Sequence, residues 1–273
     1  YRAEGKSGII NIVLKKDTPV GTHGNLTAHA GNGGRYNSNA RLNYSPGSFN
    51  VYGSYSLRRD NRNRFNSDER AVTGTTAPGA LPSTYTDDQS SYYNPLTHLM
   101  TLGFDCHIDD LNSFGLSGSY FQNSFTRIDS SHRALQNTQH IVISRYDRNG
   151  SGHEFDKERS LTANFHHNFS RSDHKIRLEL TASESPEEDD YDFTNLYVSP
   201  TFPTAYDNSI IKLYDYKSQL AIDYSNAFNT SSALEAGYRG ESNRSDLDFY
   251  DENFDPAQNL FVKDTAKTSS YSF

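Results

Sequence analysis

Residues Tyr36–Leu57 read YNSNARLNYSPGSFNVYGSYSL, and the alternation inside them decides the fold. Counting in twos, Tyr36, Ser38, Ala40, Leu42 and Tyr44 share one side, with Asn37, Asn39, Arg41 and Asn43 on the other. After Ser45-Pro46-Gly47-Ser48 the pattern resumes: Phe49, Val51, Gly53, Tyr55 and Leu57 alternate with Asn50, Tyr52, Ser54, Ser56 and Arg58. A period of two means extended strands, because successive side chains leave a strand on opposite faces. The apolar face is aromatic at its ends and small in its middle, and the other face is strongly polar. A soluble sandwich buries more Val, Ile and Leu than this. A strand between lipid and a watery lumen needs this composition. The hairpin therefore predicts an all-β chain folded as an antiparallel transmembrane β-barrel.

The unit recurs outward from this hairpin. A first strand near Gly24–Gly31 reaches it through Asn32-Gly33-Gly34-Arg35, a turn with no helix after it to make a phosphate loop. Beyond it, Leu99–Ile108 places Met100, Leu102, Phe104, Cys106 and Ile108 on one face, and turns at Asp109-Asp110-Leu111-Asn112 into Phe114–Phe125. Leu161, Ala163, Phe165, His167 and Phe169 precede a turn at Ser170–His174 and a strand with Ile176, Leu178, Leu180 and Ala182. Leu220, Ile222 and Tyr224 turn at Asn229-Thr230-Ser231-Ser232 into Leu234, Ala236, Tyr238 and Gly240, and a tenth strand begins near Lys267. Four polar stretches separate these hairpins: Asp60–Tyr93, Thr126–Asp156, Ser183–Ile211, and the region from Ser242 onward. Short turns on one side and stretches of about thirty residues on the other match barrels with short periplasmic turns and long extracellular loops.

Composition agrees with this reading. A mean hydropathy of −0.81 alone suggests a soluble or disordered chain, but 19 Tyr and 16 Phe oppose disorder. No apolar run approaches the ~18 residues of a membrane helix. The net charge of −8 argues against nucleic acid as a partner, since phosphate contacts need a basic surface. The one cysteine, Cys106, has no internal disulfide partner. The opening residues, Tyr1-Arg2-Ala3-Glu4-Gly5, are neither a methionine start nor a signal peptide, and suggest a piece cut from a longer exported chain.

Residues Arg2–Lys16, RAEGKSGIINIVLKK, resemble the end of the plug domain of TonB-dependent outer-membrane receptors, where a Tyr-x-Ala-x-Gly-x-x-Gly-x-Ile-Asn-Ile pattern precedes the first barrel strand. The resemblance divides the chain into the last plug strand (1–16), a linker (17–22) and the N-terminal portion of the barrel (23–273). It implies a bacterial outer-membrane location, and an orientation in which the turns at Pro46, Asp110, Ser172 and Thr230 are periplasmic. Nine strands and part of a tenth fall short of the roughly 22 with which plugged transporters close. It further implies energised uptake of a bulky, scarce ligand: a ferric siderophore, a corrinoid or a glycan. The implied partners are the TonB complex, acting through an N-terminal region absent from this sequence, outer-membrane lipid and lipopolysaccharide, and a surface lipoprotein as a cap. The family implies no cofactor and no covalent chemistry.

No nucleophile elbow, Walker loop or zinc-protease motif is present. His166 and His167 are adjacent in a strand, point to opposite faces, and cannot share a metal. Alternation places Arg41, Arg58, Asp105, His107, Arg177, Glu179, Asp223, Glu235 and Arg239 toward the lumen, where salt bridges to a plug are the expected use. The acidic run Glu187-Glu188-Asp189-Asp190, with Asp192 nearby, reads as a solvated extracellular loop, with Ca²⁺ ligation as the sharper alternative. Arg62 and Arg64, in a basic cluster with Arg58 and Arg59, read as a plain charged extracellular loop base, with pairing to lipopolysaccharide phosphates or to an anionic ligand as the sharper alternative. Two other readings remain open. A complete ten-stranded barrel with a hydrolytic rim site, as in omptin-like proteases, is favoured by the strand count and the terminal Phe273. A soluble all-β binding module is the other.

Overall fold

The computed structural model describes residues 20–72, 82–169, 174–229 and 232–272. The plug-like stretch and the turns around Ser172 and Thr230 lie outside the described residues. The strands are β1 (Gly21–Gly31), β2 (Arg35–Ser45), β3 (Phe49–Arg59), β4 (Arg62–Val72), β5 (Ser83–Tyr93), β6 (Leu96–His107), β7 (Asn112–Asn137), β8 (Val142–Asn168), β9 (His174–Ser199), β10 (Ala205–Asn229), β11 (Ser232–Asp255), β12 (Leu260–Lys263) and β13 (Ser269–Ser272). β1 takes in Gly21 and Thr22, two positions expected in the linker.

All thirteen strands form one antiparallel sheet, in the order β1-β2-β3-β6-β7-β8-β9-β10-β11-β12. The hairpin β4–β5 stands on the sheet through β5–β7, and the tenth strand is built in two pieces, β12 and β13, both paired with β11. Among the described residues β1 does not pair with β12 or β13, so no closed ten-stranded barrel forms. The breaks between β3 and β4 and between β5 and β6 lie side by side, where Asp60 N–H donates to the Pro95 carbonyl at 3.3 Å. Pro95 has no N–H to continue a ladder, which puts the interruption there.

The sheet is one layer with two contrasting faces. The register aligns Tyr44, Val51, Phe104, Leu116, Ala163, Leu180 and Leu220 in a row across seven strands. The neighbouring row holds Phe49, Cys106, Phe114, Phe165, Leu178, Ile222 and Tyr238. Little protein covers these side chains: Leu102, Leu161 and Leu180 are 57%, 55% and 54% exposed. An apolar band this large is unfavourable in water and is satisfied by lipid. Close approaches occur on both faces: on the apolar face a Cβ on Gly53 would meet the Leu102 side chain at 3.0 Å. A Cβ on Gly103 would meet the Tyr52 ring, and one on Gly115 the side chains of Asn164 and Asp105, all under 3 Å. On the apolar face a Cβ on Gly118 would find its nearest neighbour at 3.4 Å.

The apolar band slides along the strands. The row through Tyr36, apolar at β2, runs by Arg59, Leu96, Ser124 and Phe155 to Glu188, Lys212 and Asp248. On β11 the apolar residues instead sit lower, at Leu234, Ala236 and Tyr238. Strands tilted against a flat bilayer require this shift, since hydrogen-bonded rows then cross the membrane plane obliquely.

The long polar stretches are a correction to the expected irregular loops. β7 to β11 run 26, 27, 26, 25 and 24 residues, far beyond the ~9–11 needed to span a bilayer. The excess projects past the apolar band on the extracellular side and ends in short turns. Asn137 caps one of them, its Oδ1 accepting from Gln139 N and Ile141 N, both at 2.9 Å; Asp255 Oδ1 caps another from Ala257 N at 2.8 Å. Such Asx turns reverse the chain in few residues. Arg62 and Arg64 thus lie in β4, and Glu187, Glu188, Asp189 and Asp190 lie in β9 rather than in loops. Both faces of the extensions meet water, so the hydropathy alternation disappears while the backbone ladder continues.

Candidate functional site on the polar face

Within the membrane band, the register puts Asp105, Glu179 and Arg239 in one polar row, with Gly115, Asn164 and Ala221 between them. His107, Arg177 and Asp223 share the next row with Ser113 and His166. Arg177 and Asp223 are direct cross-strand neighbours, and with Lys175, Ser225 and Glu235 they line a groove of about 480 Å³. Arg41 lies apart, in a shallow groove with His23, Asn25 and Tyr52. Arg58 donates from Nη2 to Asp60 at 2.9 Å. The nine residues are spread along the polar face and do not converge on one point.

The tightest constellation lies higher, on the extracellular extensions of β5, β7, β8, β9 and β10. On β7 the polar-face positions are Arg127, Asp129, Ser131 and Arg133; cross-strand partners extend these rows to Tyr93, Ser91, Gln89 and Asp87 on β5. Toward β8 and β9 the Arg127 row continues through Gly152 to Tyr191, and the Asp129 row through Gly150 to Phe193. The two glycines make this geometry. A Cβ at Gly152 would meet the Tyr191 ring and the Asp190 carbonyl at 2.5 Å, and one at Gly150 the Phe193 ring at 2.8 Å. Both rings therefore lie flat on bare backbone, near-parallel with centroids 5.8 Å apart.

Guanidinium groups cover these rings. Arg148 sits 3.8 Å from the Phe193 centroid. It holds Asp207 through both Nη atoms, at 2.9 and 2.6 Å, and Asn195 Oδ1 at 2.7 Å. Arg133 donates from Nε to Asp87 and Ser131 Oγ, each at 3.0 Å, and from Nη1 to the Tyr146 hydroxyl at 3.1 Å. Ser131 Oγ also donates to Asp87. Arg127 lies between two rings, 5.3 Å from the Tyr93 centroid and 5.5 Å from that of Tyr191. Its Nε is 2.7 Å from Asp129 Oδ2 and its Nη1 is 3.9 Å from Glu154 Oε1. A planar, always-charged group with a weak hydration shell suits both stacking and pairing at once.

Three buried polar atoms in this packed wall have no hydrogen-bond partner in the structure: Arg127 Nε, Asp129 Oδ1 and the Tyr191 hydroxyl. Residues Arg127, Asp129 and Tyr191 border a cavity of about 210 Å³ together with Gln89, Ser131, Arg133, Arg148, Gly150 and Phe193. Buried polar groups are rarely left unpaired. Beside the cavity, burial pushes the Glu154 carboxyl up to about 7, with Asp189 adding to the rise and Arg127 opposing it. Burial and neighbouring acids also raise Asp156, Glu187 and Asp189.

The strand splits the acidic run between faces, with Glu187 and Asp189 on the polar face and Glu188, Asp190 and Asp192 on the other. Among the described residues no group of three or more His, Cys, Asp or Glu side chains is placed to hold a metal ion. Arg127, Asp129, Arg133, Arg148, Tyr191 and Phe193 were not singled out by sequence reasoning. The signal for them is a continued period of two, from Phe125 through Arg127, Asp129 and Ser131 to Arg133, facing the Gly150-x-Gly152 pair.

Residues 167–273 match the family model described as an outer membrane protein beta-barrel family. This is a protein of the bacterial outer membrane. The matched stretch begins in the last two residues of β8 and covers β9 to β13. No curated protein and no solved structure matches the chain.

Proposed function

We infer that this outer-membrane barrel is a receptor for energised uptake of a bulky ligand, of the TonB-dependent kind. The observation that carries the reading is a sheet of nine gently shifting strands and a broken tenth whose two outer edges do not meet among the described residues. An open edge does not persist in lipid. In this reading further strands close the sheet into a lumen wider than that of a ten-stranded barrel, and at about 22 strands such barrels carry a plug. Three features support the reading. Residues Arg2–Lys16 carry the plug-end pattern, the polar face supplies charged rows for a plug to contact, and the extracellular extensions form a tall wall with a built cavity. In this reading the groove at Lys175, Arg177, Asp223 and Glu235 seats the plug, and the cavity at Asp129 and Tyr191 belongs to the ligand's path. The barrel performs no covalent chemistry.

The test is uptake in the native host. Ferric siderophores, corrinoids and oligosaccharides are supplied one at a time to the parent, to a strain lacking this gene, and to one lacking TonB. Loss of the same ligand's uptake in both deletion strains is expected. Unchanged uptake of all three classes in the receptor deletion refutes the reading.

A further inference from the structure

We propose that the groove at the foot of β4, lined by Arg35, Asn61, Arg62, Asn63 and Tyr92, binds the phosphorylated headgroup of lipopolysaccharide in the outer leaflet.

Height places the groove among lipid headgroups. On β3 the lipid-facing residues run Phe49, Val51, Gly53, Tyr55 and Leu57, and Arg59 is the first charge to follow them. Gly53 lies in the row of Leu102, Gly118 and Leu161, in the middle of the apolar band. About six residues at about 3.3 Å each, reduced by a tilt of about 40°, put Arg59 roughly 15 Å above that row. There the hydrocarbon ends and the lipid phosphates begin. Tyr36, directly opposite Arg59 on β2, and Tyr92 on β5 supply the aromatic rings that suit a membrane–water boundary.

Charge singles out the same corner. Five arginines, Arg35, Arg58, Arg59, Arg62 and Arg64, stand around one carboxylate, Asp60, in a chain whose net charge is −8. Asp60 is already shared by Arg35 at 3.4 Å and Arg58 at 2.9 Å. Arg59 reaches only the Asn61 side-chain oxygen, at 3.3 Å, and Arg64 lies over the Tyr93 ring. Among the described residues Arg62 has no polar partner. On the lipid-facing side of β8 to β11, by contrast, Arg159, Lys212 and Arg244 each hold a carboxylate, on Glu184, Glu188 and Asp246. The uncompensated positive charge is therefore local to the foot of β4.

The turn before β2 builds the groove. Gly34, at φ +73°, leaves room for Asn61, because a Cβ there would lie 2.7 Å from the Asn61 Nδ2. Arg35 Nε donates to the Asn61 carbonyl at 2.8 Å. Among the described residues β4 pairs only with β5, so its other edge is free, and beside that edge lies a cavity of about 370 Å³. By alternation Arg35 and Arg62 come to it from the polar face, and Asn63 and Tyr92 from the lipid-facing one. The cavity thus passes around the free edge and is reached from the lipid side. Guanidinium forks match phosphate oxygens two at a time, and amide side chains add neutral donors. A metal ion would be repelled by the arginines. A free anion would suit the charge, but height, aromatic rings and access from the lipid side favour a headgroup. The inference goes beyond the uptake reading and needs only the orientation in which the extensions lie outside.

Native mass spectrometry of the full-length protein, delipidated in detergent, provides the test. The probes are deep-rough lipopolysaccharide, the same lipid after phosphatase treatment, phosphatidylglycerol and inorganic phosphate. Retention of lipopolysaccharide is expected, with the dephosphorylated lipid and phosphatidylglycerol each at least about tenfold weaker and no displacement by millimolar inorganic phosphate. Arg59→Gln combined with Arg62→Gln should weaken retention at least about tenfold. Arg159→Gln, which removes a guanidinium that Glu184 already neutralises, should bind as the parent does. Heat-modifiable gel mobility confirms that each variant is folded. Absence of retention overturns the proposal, as does equal retention of the dephosphorylated lipid. Equal weakening by Arg159→Gln also overturns it, since that would mean diffuse surface charge only. Displacement by inorganic phosphate would assign the groove to a free anion, and tighter binding of phosphatidylglycerol would assign it to the other leaflet; either overturns the lipopolysaccharide assignment. None of these results touches the uptake test above, which is read from deletion strains.

Discussion

Arg148→Ala removes the most fully engaged side chain of the extracellular wall, and its cost follows from the geometry. Arg148 and Asp207 form a two-pronged pair at 2.9 and 2.6 Å, with side chains 22% and 21% exposed. An exposed pair is worth about 0.2–1 kcal/mol, whereas orphaning one partner of a fully buried pair costs about 3–5 kcal/mol. Four-fifths burial places this pair between the two. With loss of the stacking on Phe193, the expected local destabilisation is about 2–3 kcal/mol. The extensions lie outside the bilayer, so they open separately from the membrane strands. Amide hydrogen exchange followed by mass spectrometry should show about 30- to 150-fold faster exchange in peptides covering 145–152 and 193–209, and little change in 98–106. Arg148→Ala combined with Asp207→Ala should cost less than the sum of the two single changes, because the double variant leaves no orphaned charge. A change below about threefold in the extension peptides refutes the reasoning. So does an equal change in the membrane strands, which would mean that wall and barrel open as one unit.

Other perturbations test other links. Glu154→Gln should change the pH dependence: native Glu154 binds its proton more tightly than the unfolded chain does, so native stability falls as pH rises from about 4.5 to about 7. Discounting for its partial solvent contact, the variant should gain roughly 1–2 kcal/mol in the extension at pH 8 and flatten that slope, as read by hydrogen exchange at both pH values. Gly152→Val sets a side chain into the Tyr191 ring and the Asp190 carbonyl, and should cost about 1–3 kcal/mol, whereas Gly118→Ala, with 3.4 Å of clearance, should be nearly neutral by the same assay. Leu102→Arg places a charge near the middle of the lipid-facing band and should cost about 2–4 kcal/mol in urea titrations of folding into vesicles. Leu196→Arg, also exposed but on an extension, should cost less than about 0.5 kcal/mol.

The membrane part of this fold was legible because each strand there has one dry and one wet face. Leu42, Leu102, Leu161 and Leu180 alternate with Arg41, Thr101, Ser160 and Glu179, and Pro46-Gly47 or Asp109–Asn112 mark the reversals. Asp109 illustrates how local that signal is, since its Oδ1 accepts from Leu111 N at 2.8 Å and Asn112 N at 2.7 Å. The extensions were illegible for the complementary reason. In Ser183–Ser199, SESPEEDDYDFTNLYVS, both faces are polar and Pro186 reads as a breaker. It does leave a mark: the β8–β9 ladder is continuous at Arg159–Glu184 and at Asp156–Glu187 but skips the two residues between. On its other side Pro186 still pairs in register with Tyr214. Neighbouring hairpins hold the strand together across a position that its own propensity disfavours. The cavity was missed with the extensions, since its lining residues come from four strands and the loop reading removed their register.

Height explains why the charged constellation is confined to that region. Gly118 lies in the central apolar row of β7, and Asp129 is about eleven residues farther along the same strand. At about 3.3 Å per residue that is roughly 36 Å of strand. A tilt of about 40° reduces it to roughly 28 Å of height. Half the hydrocarbon thickness is about 15 Å, which leaves Asp129 some 13 Å clear of the lipid core. Charged pairs there form against water on one side and aromatic faces on the other, and Arg127, Arg133 and Arg148 with their carboxylate partners avoid the cost of burial in the membrane. In the bilayer zone the same polar face spaces Asp105, Glu179 and Arg239 by Gly115, Asn164 and Ala221, and pairs Arg177 directly with Asp223 in the next row. The dense cluster above it presents a single small cavity to whatever arrives from outside.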